Sequence, residues 1–147
     1  MITRLIRRRT STSSRPSESL SSAEVHECNH CQSLNMPLIN LRTSLPDVDN
    51  PSQLLGELSS MLAIQTGKPE DYVMTLLETG VPMTFAGSTE PAAFVEVKSI
   101  GALKPPAMTA AFSELITART GIPANRIYIC FDDVEASSFG WNGRTFG

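Results

Sequence analysis

Gly67-Lys68-Pro69-Glu70-Asp71-Tyr72-Val73 and Gly121-Ile122-Pro123-Ala124-Asn125-Arg126-Ile127 decide the fold of this chain. Each opens on a glycine that closes an apolar-periodic run, turns at a proline two residues on, and enters a run of strand-forming residues. The two glycines lie 54 residues apart, as do Pro37 and Pro91, each of which precedes a short apolar stretch. One β-α-β unit made twice accounts for these offsets.

In the first unit Leu38-Ile39-Asn40-Leu41 reads as a strand. Asn50 then caps a helix with Pro51 at its first position and Gln53 at the capping-box position. Leu54, Leu55, Leu58, Met61 and Leu62 recur at helical spacing up to Gly67. Tyr72-Val73-Met74-Thr75-Leu76-Leu77 is expected as a strand apolar on both faces. In the second unit Pro91–Val97 reads as a strand, and Pro105 opens a helix with Met108, Ala111, Phe112 and Leu115 on one face. Gly121 closes that helix and Ile127–Phe131 is the last long strand, with the two helices expected to differ by about one turn.

Right-handed crossovers make the strands within each unit parallel and put both helices on one side of the sheet. The fold class is therefore α/β (α+β): duplicated β-α-β units forming a four-stranded sheet with two helices on one face. The other face is expected to be bare and apolar, which calls for a homo-oligomer. The tail Phe139–Phe146, with three aromatics and no helical period, is expected to supply a short interface strand.

The chain has 147 residues, 41% of them hydrophobic and 18% charged, which suits one globular domain with a real core. A formal net charge of −3 gives no field favouring nucleic acid or an anionic membrane. No apolar run approaches the roughly 18 residues a spanning helix needs. Three cysteines do not make a disulfide framework.

Composition changes near residue 36. Residues 1–35 hold five arginines, three glutamates and eight serines, for a net +2, whereas 36–147 carry a net −5. Residues 1–35 therefore read as a disordered arm. An organelle leader, an inert solvated tail, and an extension upstream of a true start at Met36 all fit; the last is preferred. The expected location is cytoplasmic, with an organelle, or export without a secretory signal, as alternatives.

Both histidines, His26 and His30, lie in the arm, so residues 36–147 cannot hold a Ser-His-Asp or Cys-His catalytic set. His26, Cys28, His30 and Cys31 read as an incidental cluster rather than a metal site, and no cofactor is expected. Gly80, Gly87 and Gly101 fit no phosphate-loop spacing. Cys130, in an apolar strand, reads as a buried inert thiol, and Asp132-Asp133 as a turn at the strand end. One unusual catalyst is left. Methionine before a small residue is normally trimmed, so synthesis from Met36 would yield an amino-terminal Pro37. Its nitrogen is then a secondary amine whose ammonium form is disfavoured among apolar groups and near a cation, a base poised for proton abstraction beside a carbonyl.

Met36-Pro37-Leu38-Ile39-Asn40, Thr66-Gly67-Lys68-Pro69, Phe85–Pro91, Lys98-Ser99-Ile100-Gly101, Arg126-Ile127-Tyr128-Ile129 and Gly140-Trp141-Asn142 resemble the macrophage migration inhibitory factor family, over essentially all of 36–147. The resemblance implies a tautomerase-superfamily homotrimer in which Pro37 is the general base for keto–enol tautomerisation of phenylpyruvate-like, and dopachrome-like, substrates. It implies that Lys68 holds the carboxylate of a small aromatic 2-keto acid, although a solvated turn lysine is the plainer reading of Lys68 alone. Ile100 would offer a backbone amide, and Tyr128 of a neighbouring subunit would line the pocket unless it is a core aromatic. Tyr72, Phe139, Trp141 and Phe146 would form an apolar wall, or else interface packing. Cys130 stands where animal members have an asparagine, which removes an amide hydrogen bond. Ala92 and Val95 occupy the family's Cys-x-x-Cys positions, so no thiol-disulfide activity is implied. The alternative function is a cytokine-like or other protein-binding module on the same scaffold.

Overall fold

The computed structural model describes residues 36–147; the arm at 1–35, with its His26–Cys31 cluster, lies outside the described residues. β1 (Leu38–Thr43) leads to α1 (Pro51–Thr66) and β2 (Met74–Glu78), and β3 (Ala93–Ser99) leads to α2 (Pro105–Thr120) and β4 (Ile127–Asp133). β5 (Gly140–Trp141) and β6 (Arg144–Thr145) form a separate hairpin. The main sheet has the order β2-β1-β3-β4, parallel within each unit and antiparallel where β1 meets β3. This is the mixed four-stranded sheet of a duplicated unit.

The repeat is sharper than the sequence alone suggests. Both helices span sixteen residues, not lengths a turn apart, and their opening prolines, Pro51 and Pro105, keep the 54-residue offset. Each ends on a left-handed glycine, Gly67 at φ 70° and Gly121 at φ 75°, a conformation that side chains with a Cβ resist. After each glycine a single 3-10 turn intervenes, Glu70–Tyr72 and Ala124–Arg126, closed by amide bonds back to Pro69 and Pro123. That turn removes Tyr72 from the strand that the apolar run predicts for it. At the start of α1, Asn50 caps the Gln53 amide as expected, but the Gln53 side chain accepts from the Asn50 side-chain amide.

Ile39, Leu41, Val95 and Val97 point from the sheet onto Leu54, Leu58, Leu62, Met108, Phe112 and Ile116 of the helices, all of them fully buried. Each such large side chain is worth about 1.5–3 kcal/mol when taken out of water. Arg119 at the end of α2 forks onto Glu57 of α1 and ties the two helices across the outer surface.

The opposite face of the sheet departs from its expected apolar character. Register places Leu38, Asn40, Arg42, Met74, Leu76, Glu78, Phe94, Glu96, Lys98, Tyr128, Cys130 and Asp132 there, and half of these are charged or amide residues. They pair with one another: Arg42 bridges Glu78 and Glu96, Asn40 donates to Glu78, and Lys98 meets Asp132. Cys130 is exposed on this face rather than buried, because strict alternation sends its neighbours Ile129 and Phe131 to the helix side. Asp132 and Asp133 complete β4 instead of starting a turn.

Candidate active site

Pro37 immediately precedes β1 and is buried, and its carbonyl accepts the Met74 amide at 3.1 Å. It shares the helix-facing parity of Ile39 and Leu41, and one further step of the β1–β3 register sets it across from Ser99. A cavity of about 240 Å³ opens beside it, lined by Met36, Pro37, Leu38, Met74, Phe139, Gly140 and Trp141.

Lys68 is delivered by the α1 cap. Its own amide donates to Ala63 O at 3.1 Å, and the half-buried side chain runs back to the end of β3. There the ammonium donates to Ser99 Oγ at 2.7 Å and to Ile100 O at 2.8 Å. Burial pushes its pKa below the ordinary lysine range, and the nearby Asp133 carboxylate partly opposes that. Lys68 is thus not the freely solvated turn residue of the plainer reading. Ile100 reaches the site through its carbonyl, which accepts from Lys68.

The aromatic group divides. Trp141 and Phe139 line the cavity, and Tyr72 stands edge-on to Trp141 with centroids 5.8 Å apart. Phe146 is one layer back, 6.2 Å from Phe139, with its amide donating to the carbonyls of Ala136 and Phe139. Trp141 is presented by the β5–β6 hairpin, whose turn residues Asn142 and Gly143 both have positive φ, 50° and 78°. An Asn-Gly pair is the residue choice for that mirror-image turn, and within one chain the tail pairs with itself as a hairpin.

Tyr128 is far from this cavity within one chain. Ser99 pairs with Asp133, and Tyr128 lies five positions back along β4, about 16 Å at the usual rise of a strand. It is 64% exposed on an edge strand, against Phe85, so it is not a core aromatic. Sequence reasoning misses two polar members: Ser99, fully buried yet holding Lys68, and Asp133, whose Oδ1 accepts the Gly101 amide at 2.7 Å. Among the described residues no three His, Cys, Asp or Glu side chains gather as a metal site. No helix there is long and apolar enough to cross a membrane.

The arrangement offers a buried strand-initial proline, a partly desolvated cation and an aromatic-walled cavity at one end of a duplicated mixed sheet. Known proteins share this architecture. A family model described as macrophage migration inhibitory factor matches residues 36–147. The chain is 37% identical over 114 residues to the macrophage migration inhibitory factor of Xenopus laevis, covering 76% of this chain and 99% of the relative. It is 38% identical over 115 residues to a homolog from Brugia malayi, covering 76% of this chain and all of the relative. The crystal structure of the Prochlorococcus marinus homologue superposes with a TM-score of 0.72 at 55% identity, over 75% of this chain and 99% of that one. The Trichinella spiralis structure gives 0.70 at 34% identity, over 74% and 98%. Sequence, topology and coverage agree over residues 36–147, and the chain belongs to the macrophage migration inhibitory factor family, with its tautomerase-superfamily fold.

Proposed function

We propose that the protein is a keto–enol tautomerase of phenylpyruvate-like 2-keto acids, with Pro37 as general base once it is the first residue of the chain. The observation that carries this reading is the buried Pro37 beside an aromatic-walled cavity, at the same sheet end as the half-buried Lys68. An ammonium has three protons. Two are directed at Ser99 Oγ and Ile100 O, which leaves one for a substrate carboxylate. With the carboxylate held there, the ring lies toward Trp141 and Phe139. The Pro37 amine lifts a proton from the carbon beside the ketone, and the C–H pair becomes the C=C bond while the carbonyl pair moves onto oxygen. The proton then returns to that oxygen, which gives the enol and the free amine.

The working assembly in this reading is a homotrimer in which Tyr128 of one subunit reaches the Pro37 cavity of the next. Its exposure on an edge strand suits that role, and so does Asn40, whose nearly buried Oδ1 lacks a partner among the described residues. An exposed free Cys130 suits a reducing, cytoplasmic setting.

One observation favours a second reading. Met36 lines the same cavity as Pro37, and while the two are joined the Pro37 nitrogen is an amide without basicity. A chain that keeps its first 36 residues would then act as a binding module on this scaffold. The intact mass of protein from its native source separates the two: a chain beginning at Pro37 supports catalysis, and a retained arm supports binding. In the trimmed form, Pro37→Gly is expected to lower turnover of phenylpyruvate by orders of magnitude with the assembly intact. Retained turnover would overturn the proline mechanism.

A further inference from the structure

Behind Lys68 the chain makes a tight turn at Gly101 and Ala102, both left-handed at φ 67° and 63°. Such a conformation costs a residue with a Cβ about 1–2 kcal/mol, so Ala102 is held there by its surroundings. The hold is visible. Asp133 Oδ1 accepts the Gly101 amide at 2.7 Å, and the next amide, Val134 N–H, donates to Ser99 O at 2.9 Å. Ser99 and Ile100, which lead into this turn, supply the two acceptors that fix the Lys68 ammonium. Asp133 is the register partner of Ser99 and reaches the turn from the end of β4. Its carboxylate also acts on Lys68 through space, in the direction that favours the ammonium.

We infer that Asp133 is a positioning residue: it locks the Ile100–Ala102 turn that aims Lys68, and its charge sets how tightly the site holds an anionic substrate. The inference deepens the tautomerase reading and rests on it for the identity of the bound anion. Two negative groups would then compete for one ammonium, so removing the Asp133 charge while keeping its acceptor tightens anion binding. Removing the acceptor as well frees the turn and loosens the clamp.

The test uses the trimmed chain with Asp133→Asn, Asp133→Ala and, as control, Asp132→Asn, whose side chain meets Lys98 on the other face. With phenylpyruvate, D133N is expected to lower KM several-fold with kcat nearly unchanged, and D133A to raise KM about tenfold. The methyl ester of phenylpyruvate, which lacks the anion, should show no D133N effect. A second readout is independent of turnover: the rate at which an amine-acylating reagent modifies Lys68, followed by peptide mass. It should rise several-fold in D133N and D133A and stay unchanged in D132N. If the wild-type chain has no turnover, the tautomerase reading fails while the acylation rates still decide the role of Asp133. Lys68 acylation equal in wild type and both Asp133 variants would overturn the inference, as would a D133N effect equal for acid and ester.

Discussion

Lys68 holds its charge against burial, and that has a measurable edge. Its pKa lies below the ordinary lysine range because desolvation penalises the ammonium. The charged form, which would hold an anion in the proposed site, is complete well below the folded pKa and is lost as pH rises through it. KM for phenylpyruvate is therefore expected to climb on the alkaline side at a lower pH than a solvent-exposed lysine would give. In Lys68→Arg, whose guanidinium stays protonated, that climb should disappear. Lys68→Ala should weaken binding of the acid at neutral pH by about 1.5–3 kcal/mol, the worth of a charge-assisted hydrogen bond. An unchanged KM in K68A would show that the clamp is not used. At this scale the sequence is informative only in part. Pro37 and Lys68 stand in quotable motifs, but Asp133 is recognisable only once pairing of β3 with β4 brings it to Gly101, 32 positions away.

The helix ends carry the register of the whole repeat. Gly121 has open space around its Cα, with nothing within 4 Å of the point a Cβ would occupy, so a substitution there is resisted by backbone conformation alone. Gly121→Ala is expected to cost about 1 kcal/mol in chemical denaturation with the m-value unchanged. The same change at Gly67 should add a catalytic penalty, since Lys68 is the next residue, and comparison of the two variants isolates the contribution of the cap to the site. Element positions are legible because glycine and proline punctuate both units at one spacing. Element faces are less so. The run Tyr72–Leu77 looks apolar throughout, yet a 3-10 turn takes its first residue and alternation divides the rest, leaving Met74 and Leu76 on the open face. Cys130 escapes a burial expectation for the same reason: apolar neighbours in sequence are not neighbours in space when the side-chain period is two.

For the proposed trimer, the distance between Tyr128 and Pro37 within one chain makes a strong experiment. Tyr128→Ala and Pro37→Gly chains should each be poorly active alone. Mixed after reversible dissociation, they are expected to recover activity, because some sites then combine a sound Pro37 with a neighbour's sound Tyr128. The mass of the complex by light scattering should be three times that of one chain. Absence of recovery in a verified mixed trimer would mean that Tyr128 is not supplied to the site by a neighbouring chain. The open sheet face bears on this assembly too. Its ion pairs, Arg42 with Glu78 and Glu96 and Lys98 with Asp132, make it a surface of paired charges, with one carboxylate in excess, rather than a greasy one. The sequence does not disclose this, since the matching depends on which strands lie side by side.

The cavity is built from both ends of the domain. Pro37 leads the first strand, while Phe139, Gly140 and Trp141 come from the closing segment, whose Phe146 is tied back to Phe139. A circular permutant that joins Gly147 to Pro37 through a short linker and opens between Ala86 and Gly87, the exposed tip of the Phe85–Ser88 turn, would keep the pairing of all four main strands. Its Pro37 nitrogen would be acylated. Under the tautomerase reading such a molecule would fold without turning over, so a single rewiring of connectivity would part the architecture from the proposed chemistry.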